Sequence, residues 1–177
     1  MTVILDRYVS VQTDDEILAQ RGKLLNILIL IIGIADLLTI LKDVVFGTVR
    51  PEYLAVEVPS LIVFGALYWY TRRGHRWPPY VFLSFLALIA PYAVQESLES
   101  PLVMAVTLPV VVAPLIAPPW LSIPLAAVEA VMLLVFRSTL GYPPLNPVTI
   151  VILGVLGALS WLSSSSLESA FKEATQN

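Results

Sequence analysis

The chain has 177 residues, of which 58% are hydrophobic and 13% charged, and its positive mean hydropathy sets it outside the ordinary water-soluble class. A net charge of -3 provides no basic excess for nucleic acid. The lack of cysteine removes thiolate chemistry, disulfides and Cys-ligated metal, and the single histidine, His75, leaves too few donors for a zinc or haem site. The composition is that of an all-α polytopic membrane protein with no cofactor.

Residues 1–23 read as a cytoplasmic N-terminal segment. Asp6, Asp14, Asp15 and Glu16 lie in it, and the apolar stretch that follows is too long for a signal peptide and lacks a small-residue cleavage site. Thr13-Asp14-Asp15-Glu16 fits a capping box, with Thr13 as the cap and Glu16 reaching back. A short interfacial helix over about residues 14–22 is therefore expected to lead into the first span.

Residues 24–163 then divide into six apolar stretches, 24–45, 54–71, 79–95, 101–117, 120–140 and 145–163, against the roughly 20 residues (about 17 at least) that a spanning helix needs. Gly47 to Pro51 ends the first, the basic "TRRGHRWPP" separates the second from the third, and Glu96 to Pro101 separates the third from the fourth. Pro118-Pro119-Trp120 forces a tight antiparallel hairpin, and Gly141 to Pro147 closes the fifth. Pro59, Pro91, Pro109, Pro114 and Pro124 fall inside these stretches, where each removes a backbone hydrogen bond and can bend the helix. An even number of spans puts both termini on one side. Arg7, Arg21, Lys23, Arg72, Arg73, Arg76 and Lys172 share that side, against Lys42, Arg50 and Arg137 on the other, so the positive-inside rule makes both ends cytoplasmic. Trp69, Trp77, Tyr80 and Trp120 then fall near the inner interface, and Tyr53 and Tyr142 near the outer one.

Asp36 and Glu129 are the carboxylates deepest in the spans, and each is costly if charged and facing lipid, by roughly 2.5 kcal/mol or more. Both are expected to point into the bundle, beside the small residues Gly33 and Thr39 in one case and Ala126 and Ala130 in the other. Glu57 and Arg137 lie nearer the outer surface. Arg137 is eight residues from Glu129, roughly 12 Å along the axis, so its partner must come from another helix, Glu57 or Asp36. Asp36, Glu57, Glu129 and Arg137 together are the candidate ligand-binding cluster, set against a purely structural role in helix packing. Asn26, Gln95 and Thr107 are weaker candidates of the same kind. No phosphate-binding, zinc-protease or nucleophile-elbow motif occurs, so the chain reads as non-enzymatic and without a metal.

Residues 164–177 form a cytoplasmic exit helix or linker. Ser163 to Ser166 suit a flexible or helix-exiting segment, after which Leu167, Ala170, Phe171 and Ala174 recur at helical spacing as a candidate partner-binding face. Gly154, Gly157, Ala158 and Ser160 make the sixth span small enough for close helix contact.

The "LAQRGKLLNILILIIGIADLL" approach to the first span, the "RRGHRWPPYVFLSFLALIAPY" link, the "ESLESPLVMAVTLPVVVAPLIAPPW" hairpin and a last span running into "LESAFKEATQN" together resemble the six-helix N-terminal membrane domains of bacterial sensor histidine kinases and related signalling proteins. The resemblance implies a sensory or input module of a two-component type in the bacterial inner membrane. Such a module dimerises and passes motion through its last helix to a cytoplasmic effector. It supplies no catalytic or binding residues. In that family the helix from Leu167 would continue into a coiled coil and an effector domain, so this sequence is expected to be an isolated input domain or a stand-alone relative whose effector is lost or supplied by another chain. An accessory subunit of a larger membrane complex is the second reading, and a small transporter the third.

Overall fold

The structure, a computed structural model, describes residues 8–48, 51–93, 103–140 and 147–176. Within its helices the side chains of residues 52–53, 90–93, 103–105, 136–137, 140, 147–149 and 167–176 lie outside that description. Six main helices follow in chain order: α1 Glu16–Phe46, α2 Pro51–Arg72, α3 Pro78–Ala93, α4 Val103–Ile116, α5 Ser122–Leu140 and α6 Pro147–Gln176, with a 3₁₀ turn Pro119–Leu121 before α5. No strand occurs among the described residues. The chain divides into two compact units, Met1–Phe82 and Leu83–Asn177, the boundary falling within α3.

The first unit is built on the α1–α2 pair. The cap of α1 is Asp15, in extended conformation (φ -82°, ψ 107°), whose carboxylate accepts from the Leu18 N–H at 3.1 Å. Thr13 instead accepts from the Asp15 N–H at 3.3 Å. The expected capping box is thus displaced by two residues: Asp15 caps as well as threonine does and stands directly before the helix. The interfacial segment and first span form one helix of 31 residues.

Glycines close both helices. Gly47 (φ 65°) ends α1 with the Thr48 N–H returning to the Asp43 carbonyl at 3.0 Å, and Gly74 (φ 75°) follows α2 with the His75 N–H returning to the Tyr70 carbonyl at 3.3 Å. Both are left-handed turns that satisfy terminal carbonyls. On α2, Ser60, Phe64, Leu67 and Thr71 form the buried row, and Phe64 meets Phe82 at 6.0 Å between ring centroids.

Residues 8–13 lie as a strap across the end of this helix pair. Val9 is buried and its carbonyl accepts from the Asn26 amide at 3.2 Å. The Tyr68 hydroxyl donates to the Tyr8 carbonyl at 2.6 Å, and the Gln12 N–H to the Arg72 carbonyl at 2.9 Å. The strap fits closely: a Cβ on Gly22 would stand 2.8 Å from Val11 Cγ2, and one on Gly74 would stand 2.6 Å from the Gln12 carbonyl oxygen.

In the second unit α4, α5 and α6 pack on one another around Val106, Val110, Ala126, Leu133 and Leu153. Contact is close at Gly157, where a Cβ would meet Ala126 Cβ at 3.0 Å and the Ser122 carbonyl oxygen at 3.3 Å. Pro118 has no N–H to offer the Pro114 carbonyl one turn earlier, and the Ser164 hydroxyl approaches that carbonyl at 3.4 Å instead. The serine run is therefore not a flexible linker. Ser163 to Ser166 are helical, and α6 continues unbroken to Gln176. Pro59, Pro109 and Pro114 lie inside their helices as expected. Pro124 is instead in the first turn of α5, where a missing N–H costs no helical bond.

Two helical stretches, Glu16–Phe46 and Leu54–Arg72, are long and apolar enough to cross a membrane. The other helices carry shorter apolar stretches of 10–17 residues among the described residues.

Candidate functional site

Three of the four predicted cluster residues have described side chains. Asp36 in α1 and Glu57 in α2 belong to the first unit and Glu129 to the second. Arg137 lies in the last turns of α5, and its proposed pairing with Glu57 or Asp36 falls outside the described residues.

Asp36 and Glu57 are linked through a residue that the sequence does not single out. The Ser60 hydroxyl is 3.1 Å from Asp36 Oδ2 and 2.7 Å from the Glu57 backbone carbonyl. One proton serves one acceptor fully at a time, so the hydroxyl acts as a shared bridge between α1 and α2. Glu57 feels the like charges of Asp36 and Asp43 and the opposite charge of Lys42; Lys42 lies 3.1 Å from Asp43. Asp36 is part-buried, as expected for a side chain turned toward α2. Gly33 does not mark a close helix approach, because a Cβ there would meet nothing within 4 Å. Thr39 bonds back to the Ala35 carbonyl of its own helix at 3.1 Å.

Glu129 has a different setting. Ser122, Ala126, Glu129 and Leu133 recur every three or four residues along α5, and all four are buried. Glu129 has no solvent exposure, and neither carboxyl oxygen meets a hydrogen-bond partner among the described residues. The Ser122 hydroxyl, two turns earlier on the same face, is likewise buried and unpartnered. The small residues expected beside Glu129 do permit close packing, since Ala126 receives Gly157 of α6. An unsatisfied buried carboxyl is costly and uncommon in a native core. It is the strongest single indication in the second unit of a group retained for something other than packing. Ser122 carried no such signal in the sequence, because a serine in an apolar helix usually bonds its own backbone.

The Asn26 amide nitrogen donates to the Val9 carbonyl, spanning from α1 to the strap, while its Oδ1 is buried with no partner among the described residues. The partner-binding residues Leu167, Ala170, Phe171 and Ala174 lie within α6, their side chains outside the described residues. Among the described residues no three His, Cys, Asp or Glu side chains come together as a metal site.

Comparison with known proteins finds no match, whether to a family model, a curated protein or a solved structure.

Proposed function

We propose that this chain is a non-enzymatic, six-span sensory or input module of the bacterial inner membrane, with both termini cytoplasmic. It responds to a small or lipophilic ligand, or to the state of the membrane, and signals to a cytoplasmic effector as a homodimer. The observation that carries this reading is α6, a single helix of 30 residues, roughly 45 Å long at 1.5 Å per residue. That exceeds the hydrocarbon thickness of about 30 Å and leaves a rigid extension. The same helix is held to α5 at Gly157 and to α4 at Ser164, so a rearrangement around Glu129 on α5 has a direct mechanical route to Leu167 and beyond.

Membrane residence is supported by the outward row Ile31, Ile34, Leu38, Leu41 and Val45 of α1, each more than half exposed. A continuous apolar stripe of that length is unfavourable in water and favourable in lipid. The four helices with shorter apolar stretches complete the six-span reading through local thinning of the bilayer or flanking-residue snorkelling. That same row favours the second reading, an accessory subunit, since another protein's helix would cover it equally well.

Native mass spectrometry of the chain extracted gently from its own membrane separates the two. A homodimer with a bound small molecule is the expected result. Fixed association with unrelated chains would overturn the sensor reading in favour of the accessory subunit.

A further inference from the structure

We infer that the turn between α2 and α3, at the end of the first unit closed by the strap, is a binding site for the headgroup of an anionic phospholipid. This rests on the membrane reading above and adds to it a ligand class and a place.

Residues 71–77 contain Arg72, Arg73 and Arg76 and no carboxylate. The turn is fixed from several directions. Its backbone closes on Tyr70 and Thr71 through the N–H groups of Arg73, Gly74 and His75, at 3.0 to 3.3 Å. The strap ties it down through the Gln12 N–H.

The arginines are placed rather than splayed. The Arg73 guanidinium stands 4.5 Å from the centre of the Trp69 ring, and that of Arg72 stands 5.8 Å from Tyr68. Arg73 is exposed, and a guanidinium held over a ring keeps the charge and the N–H donors that phosphate recognition uses. Arg76 pairs with Asp15 at 3.3 Å, yet its side chain remains 80% exposed and open to a second acceptor.

Beside these cations Tyr70, His75 and Trp77 form a mutually packed trio, with Tyr70 5.4 Å from His75 and 4.9 Å from Trp77. Trp69, Tyr70, Trp77 and Tyr80 are all exposed. Amphipathic rings at headgroup depth, next to fixed arginines, match a lipid that carries its phosphate just above its acyl chains. Asp14, Asp15 and Glu16 at the start of α1 are the groups of opposite effect; Asp15 is engaged by the Leu18 N–H and by Arg76, and the helix dipole offsets about half of one charge.

The test is native mass spectrometry of the full chain released from nanodiscs containing equal phosphatidylglycerol and phosphatidylcholine. The intact chain is expected to retain phosphatidylglycerol preferentially. In the Arg73→Gln, Arg76→Gln double variant the preference should fall by about fivefold per arginine removed, with phosphatidylcholine retention unchanged. Equal retention of the two lipids by the unaltered chain would overturn the inference without any variant, as would an undiminished preference in the double variant. Alkaline carbonate extraction of both proteins keeps this outcome separate from the membrane reading. A chain that stays in the pellet and shows no lipid preference refutes the headgroup site alone, and a chain washed into the supernatant refutes membrane residence and the headgroup site together.

Discussion

Ser164 of α6 donates its hydroxyl to the carbonyl of Pro114 in α4, the carbonyl that Pro118 leaves without its helical partner. At 3.4 Å the bond is long, and Ser164→Ala should destabilise the protein by about 0.5–1 kcal/mol. Ser166 is exposed, and Ser166→Ala should be neutral or slightly stabilising through helix propensity. Thermal unfolding in one detergent checks the contrast. If the two substitutions behave alike, Ser164 does not tether the exit helix.

Glu129 separates packing from function. Because both carboxyl oxygens are enclosed without a partner among the described residues, Glu129→Met replaces them with atoms that need none, and stability should rise by about 1–3 kcal/mol. The proposed signalling role predicts that this more stable protein no longer shows a ligand-dependent change in its dimer contacts, measured by cross-linking. A gain in stability with the response intact would leave Glu129 no sensory role.

Gly157 and Gly154 lie one turn apart on α6 and should respond in opposite directions. A Cβ on Gly157 stands 3.0 Å from Ala126 Cβ and 3.3 Å from the Ser122 carbonyl oxygen, and a larger side chain there has to displace helix backbone. Gly157→Leu should therefore cost about 1–3 kcal/mol by overpacking. At Gly154 nothing lies within 4 Å, so Gly154→Ala should gain up to about 1 kcal/mol. Chemical denaturation of the two variants reads the difference directly.

Helix boundaries were largely legible, because the residues that end these helices act locally. Gly47, Gly74, Pro78 and the Pro118-Pro119 pair terminate or redirect the chain by their own backbone preferences. The cap of α1 was displaced because Thr13 and Asp15 are both good caps and only geometry chooses between them. Periodicity also overstated Gly33, since a small residue permits close approach without causing it. What the sequence concealed was long-range pairing: nothing near Ser60 signals Asp36, nothing near Ser164 signals Pro114, and nothing in residues 8–13 signals that they lie against α1 and α2.

The bridge at Ser60 predicts a measurable coupling. In a double-mutant cycle of Ser60→Ala and Asp36→Ala, the interaction energy should be about 0.5–1.5 kcal/mol. Unfolding of the four proteins in one lipid mimetic supplies it. A value within error of zero would mean that the hydroxyl serves the Glu57 carbonyl only.

The strap rests on Asn26, whose amide donates to the Val9 carbonyl, both residues being buried. Asn26→Ala leaves the Val9 carbonyl enclosed and unpaired, and should cost about 1–3 kcal/mol. Limited proteolysis should then cut first within residues 8–15. Unchanged resistance there would show that Tyr68 and Arg72 suffice to hold the segment.

The same strap sets an order of events during synthesis. Tyr8 waits for the hydroxyl of Tyr68 and Gln12 for the carbonyl of Arg72, each 60 residues further along the chain. At about 5–20 residues per second, the ribosome takes roughly 3 s or more to deliver them. The first helix therefore forms with its leading segment still unseated, and the segment closes only when the second helix has arrived. A nascent chain arrested before Arg72 has emerged from the ribosome would display residues 8–13 to any protease or targeting factor, and one long enough to expose Arg72 would not.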